Sequence, residues 1–363
     1  MDRYALLILP SANRVYSGTA AALTRAELEV FSRAVLGGRI ADIGAEVIGG
    51  VPYVTFAGDL DEARDAALLA SLSSIYALYQ VRDGLLRPLP VHPPGRLDDD
   101  LVTIQKYPGK TNEQFTRLLL NVTLLSSAFA PGLLDRKFSV LDPLCGRGTT
   151  LSQALRLGFD AAGVEHDRKD VEAYGTFIKT WLKRKKIKHH ADYDGPVRRD
   201  GQVIGRRLQL RLAADKDDYK AGLTQLLDVV AADTTRAPEF FRPATFDLVV
   251  TDAPYGIQHG STTDAAGAAG GGGGGRGAAG GGARRLARSP LDLLAAAVPG
   301  WASLLRAGGA MGIAWNTLVA PRAEAAAILS GAGLEVLDDG PYREFEHRVD
   351  QAIRRDILIA RRS

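Results

Sequence analysis

The chain has 363 residues, 46% hydrophobic and 24% charged, which excludes a charge-rich disordered chain and gives core enough for two domains. A formal net charge of +3, with a pI of about 8.9, selects no class of partner until the charge is located along the chain. One cysteine, Cys145, excludes an intrachain disulfide and fits a reducing cytoplasm. The opening MDRYALLILP is too short in its apolar run for a signal peptide, and no stretch reaches the ~18 uncharged apolar residues of a membrane span.

Residues 1–95 read as a small α+β unit. YALLILP predicts a strand. TRAELEVFSRAVL predicts a helix with Thr24 as N-cap and Glu27 at capping-box spacing. AEVIGGVPYVTFAG predicts a strand pair around Gly49 and Gly50, and DLDEARDAALLASLSSIYALYQV a second helix. The four prolines of LRPLPVHPPGRLDDD then predict a linker, placed at 96–104. From 105 to 363 helices alternate with short apolar strands: FSVLDP, DAAGVEHD, LDVVAADT, FDLVVTDAP and GGAMGIAWN. Such alternation predicts a parallel sheet with helices on both faces, whose ligands bind at the carboxyl ends of the strands. Asp142, Glu165, Asp233 and Asp252 all fall at those ends.

VLDPLCGRGTTLSQAL is a strand, a glycine turn and a helix start. Gly146 and Gly148 let backbone approach a ligand, and Thr149 or Thr150 is placed to cap the helix. Glu165 follows near the ~20-residue interval at which an acid grips ribose hydroxyls. By itself this is a nucleoside-binding signal, or a tight turn with a surface acid. Dinucleotide binding wants a third glycine where Leu151 stands, and Asp142 would repel a pyrophosphate while suiting the cationic amino group of a methionyl moiety. Asp233 suits an adenine amino group or a turn cap. Cys145 reads as a small packing residue beside the cofactor.

Asp252, Ala253, Pro254 and Tyr255 end the strand FDLVVTD abruptly. An exocyclic amine on a nucleobase is a weak nucleophile because its lone pair is delocalised into the ring. A carboxylate and an adjacent backbone carbonyl can each accept one of its hydrogens and favour a tetrahedral nitrogen, and the carboxylate stabilises the charge that develops there. Tyr255 offers the base a stacking face and Pro254 stiffens the turn. A plain strand-ending turn uses similar residues.

DPLCGRGTT, GVEHD, AAD and DAPYG resemble, in order and spacing, class I S-adenosylmethionine-dependent methyltransferases with an Asp/Asn-Pro-Pro-Tyr motif. More narrowly the chain resembles the THUMP-associated RNA methylases, including tRNA guanine-N2-methyltransferases, from about Gln105 onward. The resemblance implies a Rossmann-like α/β sheet preceded by a small ferredoxin-like domain, with S-adenosylmethionine as cofactor and RNA, most specifically tRNA, as partner. It implies that Lys110 and Thr111 of YPGKTNEQFTRLLLN, and Asp142, Pro143, Cys145, Gly146, Gly148, Thr149, Glu165 and Asp233, serve the cofactor. It implies that Asp252, Ala253, Pro254 and Tyr255 serve catalysis. The chain departs from the family in having Ala253 for the motif's first proline, and in an N-terminal region short for a full THUMP domain. Rivals are a DNA adenine or cytosine amino-methyltransferase and a non-catalytic RNA-binding protein with the same fold.

The basic stretch 183–211 carries Lys183, Arg184, Lys185, Lys186 and Lys188, then a hairpin with Arg198, Arg199, Arg206, Arg207 and Arg211. It reads either as a phosphate grip, with Trp181 for stacking, or as a solvated face with Trp181 in the core. Residues 264–289 read as a Gly/Ala-rich loop, either a passive linker or a lid whose Arg276, Arg284, Arg285 and Arg288 touch phosphate. His259 and Asn316 lie near strand ends. His189 and His190 have no partners at ligand spacing, so no metal is expected.

Overall fold

Two successive runs of alternating strand and helix make two sheets in the computed structural model, which describes residues 1–10, 14–253 and 290–363. Pro254, Tyr255, His259 and the Gly-rich segment 264–289 with its arginines lie outside the described residues.

The first run comprises β1 (Asp2–Ile8), α1 (Arg14–Ala34), β2 (Ile40–Ile48), β3 (Val51–Gly58), α2 (Arg64–Leu69), β4 (Ile75–Arg82) and β5 (Leu85–Leu89). Its strands pair antiparallel throughout, in the order β2-β3-β1-β4-β5. The first four strands in this order, with two crossing helices, are the expected ferredoxin-like arrangement. Gly49 and Gly50, at φ +58° and +84°, make the tight β2–β3 turn that the sequence marks.

Two expectations fail here. The first helix starts at Arg14, because Tyr16, Ala20, Leu23, Glu27 and Phe31 recur on one buried face. Thr24 is therefore inside the helix, donating to the Ala20 carbonyl at 2.7 Å, and caps nothing. The second expected helix is split. Its half IYALYQVR is strand β4, where Ile75, Leu78 and Gln80 are buried and Tyr76 is exposed. Of the prolines in LRPLPVHPPGRLDDD, Pro88 sits in edge strand β5, ahead of the linker placed at 96–104, where its missing N–H is tolerated.

The second run comprises α3 (Asp100–Thr103), α4 (Glu113–Leu125), β6 (Ser139–Asp142), α5 (Thr149–Arg156), β7 (Asp160–Glu165), α6 (Arg168–Arg184), β8 (Lys188–Arg199), β9 (Gln202–Ala213), α7 (Lys216–Lys220), β10 (Gln225–Ala231), β11 (Phe246–Asp252), α8 (Pro290–Leu304), β12 (Leu305–Asn316), α9 (Arg322–Gly331), β13 (Glu335–Leu337), β14 (His347–Arg348) and β15 (Arg354–Arg361). The sheet order is β13-β15-β12-β11-β6-β7-β10-β9-β8, with β14 beside β15. Strands β10, β7, β6, β11 and β12 are mutually parallel, as expected of a doubly wound, Rossmann-like sheet. Strand β15 runs antiparallel to β12, and β9 of the β8–β9 hairpin antiparallel to β10. The order reverses at β6, so the crevice at its carboxyl end is the place where such sheets bind ligands.

The two sheets share one apolar core that runs through α1 and α4. Polar ties cross the same seam. Asn121 of α4 donates to Glu27 of α1 and to the Ser71 carbonyl, both at 2.7 Å, and Ser73 donates to Glu27 through its N–H and its hydroxyl.

Helix α4 lies against β12 so closely that Gly312 has no room for a side chain: a Cβ there would overlap the Thr123 hydroxyl, itself bonded to the Leu119 carbonyl. Gly312→Ala is expected to lower stability by ~1–3 kcal/mol through overpacking. Thr123→Ala in the same chain should recover part of that loss, and chemical denaturation of the four combinations measures it.

Candidate active site

Strand β6 delivers Asp142 to the crevice and the chain turns through Pro143–Gly148 into α5. Gly146 and Gly148 adopt φ +49° and +76°. At Gly148 the requirement is double, because a Cβ would also lie 2.5 Å from the Tyr174 ring. Gly148 itself is the N-cap of α5, so neither threonine caps it; Thr149 instead meets the Tyr107 hydroxyl at 2.9 Å. The turn is fastened to β7 by two backbone donors: Cys145 N–H to the Val164 carbonyl at 3.0 Å, and Gly146 N–H to Glu165 Oε2 at 2.9 Å. Cys145 packs against Gly163, and burial pushes its thiol up, as suits a packing residue rather than a nucleophile.

Glu165 also accepts from Asp167 N–H at 2.8 Å, and burial raises its pKa. A carboxylate has about four acceptor positions, so two backbone donors leave capacity for ligand hydroxyls. Asp142 is 3% exposed. It accepts from the Thr251 hydroxyl at 2.8 Å and from Leu144 N–H at 3.1 Å. Burial pushes it up to about 7, the hydrogen bonds of Thr251, Thr150 and Leu144 oppose the rise, and the Asp252 charge adds to it.

Strand β11 brings Asp252 to the same crevice. Thr111 donates to its Oδ2 at 2.7 Å, and Arg355 of β15 lies 3.5 Å from that oxygen. The Arg355 guanidinium is 4.4 Å from the centre of the Phe115 ring. Ala253 is buried, and its N–H bonds the Ala314 carbonyl at 2.8 Å, which continues the pairing with β12 past Asp252.

A cavity of about 430 Å³ runs from the glycine turn to this strand tip. Thr111, Asp142, Cys145, Gly146, Thr149, Asp252 and Ala253 all line it. Lys110 does not: its ammonium is tied to the Val102 carbonyl at 2.6 Å. Pro143 contributes a carbonyl to the Thr234 hydroxyl at 2.6 Å, and Asp233 accepts from Thr235 N–H at 2.9 Å as the cap of a short 3₁₀ turn. Tyr107, Arg147, Asp170 and Phe115 line the cavity without having been singled out from the sequence. Arg147 bonds Asp170 at 2.7 Å and lies over the Tyr107 ring. Among the described residues no group of three or more His, Cys, Asp or Glu is placed to hold a metal ion, and no helix is long and apolar enough to cross a membrane.

Elsewhere several groups open to either reading serve the fold. Trp181 is buried, its indole N–H donating to Asp100 at 2.9 Å, so it offers no stacking surface. Asn316 is bonded to the backbone of Ala352, Leu318 and Arg354. In the basic stretch Lys185 pairs with Asp98 and Asp100, Arg199 with Glu239, and Arg207 with Asp228. Lys183, Arg184, Lys186, Lys188, Arg198 and Arg211 remain exposed on α6 and the hairpin.

Residues 125–266 match the family model described as RMKL-like, methyltransferase domain. The ribosomal RNA large subunit methyltransferase K/L of Photobacterium profundum is 30% identical over 147 residues, covering 39% of this chain and 20% of that protein. The chain thus spans about a fifth of that relative's length. Among solved structures, a 16S rRNA N2 methyltransferase of T. Thermophilus, in complex with AdoMet and guanosine, aligns at 16% identity over 93% of this chain and 61% of its own, with a TM-score of 0.36. A TehB-like SAM-dependent methyltransferase from Corynebacterium glutamicum aligns at 13% identity over 64% and 84%, with a TM-score of 0.33. Scores this low bear no weight on function.

The buried state of Asp142 has a consequence for stability. Because its folded pKa is raised to about 7, the folded chain holds a proton that the unfolded chain has released. Its contribution therefore declines as pH rises from about 4, the unfolded value, to about 7, and is level above that. Relative to Asp142→Asn, the wild-type protein should lose on the order of 2–4 kcal/mol across that window. Urea unfolding of both proteins at pH 4.5 to 8, roughly the span of the linkage, checks it.

Proposed function

We propose that the protein is a class I methyltransferase that moves the methyl group of S-adenosylmethionine to an exocyclic amino nitrogen of a base in RNA, with guanine N2 as the acceptor. The observation that carries the proposal is the single cavity joining the glycine turn and Asp142 to Asp252 and Ala253. The residues fit the cofactor. Space lies open above Gly146, where a Cβ would meet nothing within 4 Å. Glu165 stands at the end of the neighbouring strand for ribose hydroxyls, and Asp142 provides a buried anion for the amino group of the methionyl end. The match of residues 125–266 to a methyltransferase domain supports the same assignment.

S-adenosylmethionine supplies an electrophilic methyl group. The chain's own contribution is to make a poor nucleophile better. Asp252 and the Ala253 carbonyl accept the two amine hydrogens, holding the nitrogen with its lone pair directed away from the ring. The carboxylate then faces the positive charge that develops on nitrogen, in a position fixed beforehand by Thr111. Ala253 suffices where relatives of this motif have proline, because its role is a carbonyl and its N–H is engaged with Ala314.

For RNA as the substrate the support is the name of the Photobacterium relative and the exposed cations of α6 and the β8–β9 hairpin. Ribosomal RNA, named in that relative, and tRNA, the class to which the family resemblance points, are separated by nucleoside mass spectrometry on fractionated RNA from a deletion strain. Loss of one methylated guanosine from one fraction is the expected result. Unchanged RNA nucleosides would remove RNA as substrate.

Asp252→Asn keeps the shape of the side chain and should reduce single-turnover methyl transfer by a factor of hundreds, on the scale of ~2.7–4 kcal/mol for one preorganised contact. Glu165→Ala should weaken S-adenosylmethionine binding by ~1.5–3 kcal/mol in calorimetry. Replacing Lys183, Arg184 and Lys188 by Gln should flatten the salt dependence of RNA binding by ~0.7–0.9 per lost phosphate contact, leaving cofactor affinity unchanged.

A further inference from the structure

Strand β15 runs against the parallel strands beside it, so its first residues arrive at the edge where those strands end. In register, Asp252 of β11 lies beside Ala314 of β12, and Asn316 of β12 lies beside Arg355 of β15. The Arg355 side chain reaches back over β12 to the Asp252 carboxylate. It does so while only 6% exposed. A buried guanidinium costs several kcal/mol unless it is paired, and two of its contacts lie in the crevice: Asp252 at 3.5 Å and the face of Phe115 at 4.4 Å.

The surroundings suit a single fixed cation. His347 packs against the other side of this group, 5.1 Å from the Phe115 ring, with the Tyr16 ring of α1 at 6.2 Å. Burial holds the His347 pKa down, and Arg355 depresses it further, which favours the neutral imidazole. Its Nδ1 meets the Phe345 carbonyl at 2.9 Å. Asp142, whose pKa is pushed up to about 7, also faces Asp252. Among the described residues Arg355 is thus a cation set directly against the carboxylate, and Thr111 and Arg355 meet the same oxygen, Oδ2.

We propose that Arg355 is a positioning residue for methyl transfer: with Thr111 it fixes the rotamer of Asp252, so that the carboxylate is aimed before the substrate amine arrives. The inference rests on the proposed function for its meaning in catalysis, but the pair itself does not. Arg355 touches neither substrate nor cofactor in this role. It acts through Asp252, and the effect should vanish when Asp252 is no longer an acid.

The test is a cycle of four full-length proteins: wild type, Arg355→Gln, Asp252→Asn and the double variant. With the native RNA, Arg355→Gln should lower kcat roughly 100-fold, the scale of an ~1 Å misplacement, with KM for RNA and calorimetric affinity for S-adenosylmethionine nearly unchanged. In the Asp252→Asn background the same change should cost less than about 3-fold, and Arg355→Lys should restore part of kcat, as charge without the fork geometry. An equal loss of kcat in both backgrounds would make Arg355 merely structural and overturn the proposal, as would wild-type kcat in Arg355→Gln. Urea unfolding of the same four proteins reads the pair without any substrate. Non-additive midpoints are expected, and additive ones overturn the pairing. If the wild type methylates no RNA while the unfolding cycle is non-additive, the proposed function has failed and the Asp252–Arg355 pair stands.

Discussion

The hydrogen bond from Thr251 to Asp142 joins the tips of β11 and β6, and the site is arranged around it. It exists because a doubly wound sheet brings the carboxyl ends of neighbouring parallel strands to one crevice, with little water to solvate what stands there. An acid in that place must be bonded, partly neutralised, or paired. Asp142 takes the first two courses, with Thr251, Leu144 and a raised pKa. Asp252, one residue past Thr251, takes the first and the third, with Thr111 and Arg355. Two carboxylates at one crevice are thereby held by different partners, which suits the proposed handling of a cationic ligand end and a neutral amine.

The same economy of polar groups governs the seam between the sheets. Glu27 is fully buried and pushed up to about 7, yet it is met by Ser73 and Asn121 from two separate segments. Such a cluster fixes α1 on α4 more specifically than apolar contact alone, because a shift of one turn would strand several polar groups at once. Helix α4 in turn begins next to Thr111, with Asn112 as its N-cap. The packing of the small sheet is thus connected, through one helix, to the residue that holds Asp252.

Much of the crevice is legible in the sequence because it is local. Strand, glycine turn and helix follow one another from Val140 to Leu155, and Asp252 ends its own strand, so spacing alone brings these groups to one edge. What the sequence reading missed is non-local. Arg355 lies more than a hundred residues after Asp252, on a strand with no motif, and only the antiparallel course of β15 makes them neighbours. Tyr107 and Phe115 belong to a stretch whose family resemblance was visible but whose individual contacts were not. Lys110, adjacent to Thr111, is directed by contrast to the Val102 carbonyl, a contact that no local spacing announces. The failure over Thr24 has a cause of another kind. Capping-box spacing was present, but the buried stripe continued through Tyr16 and overrode it.

The β8–β9 hairpin carries a liability that has nothing to do with ligands. It leaves β8, twelve residues long, at one border of a large sheet, whereas β13 closes the other border with three residues. A long open border invites a second chain to add a strand. Strand β8 bears Lys188, Arg198 and Arg199, a proline at Pro196, and a register break between Asp192 and Gly195. Each of these spoils a template for intermolecular pairing. Copies of the chain are therefore expected to pair along this border less readily than its length alone would allow, whatever becomes of RNA.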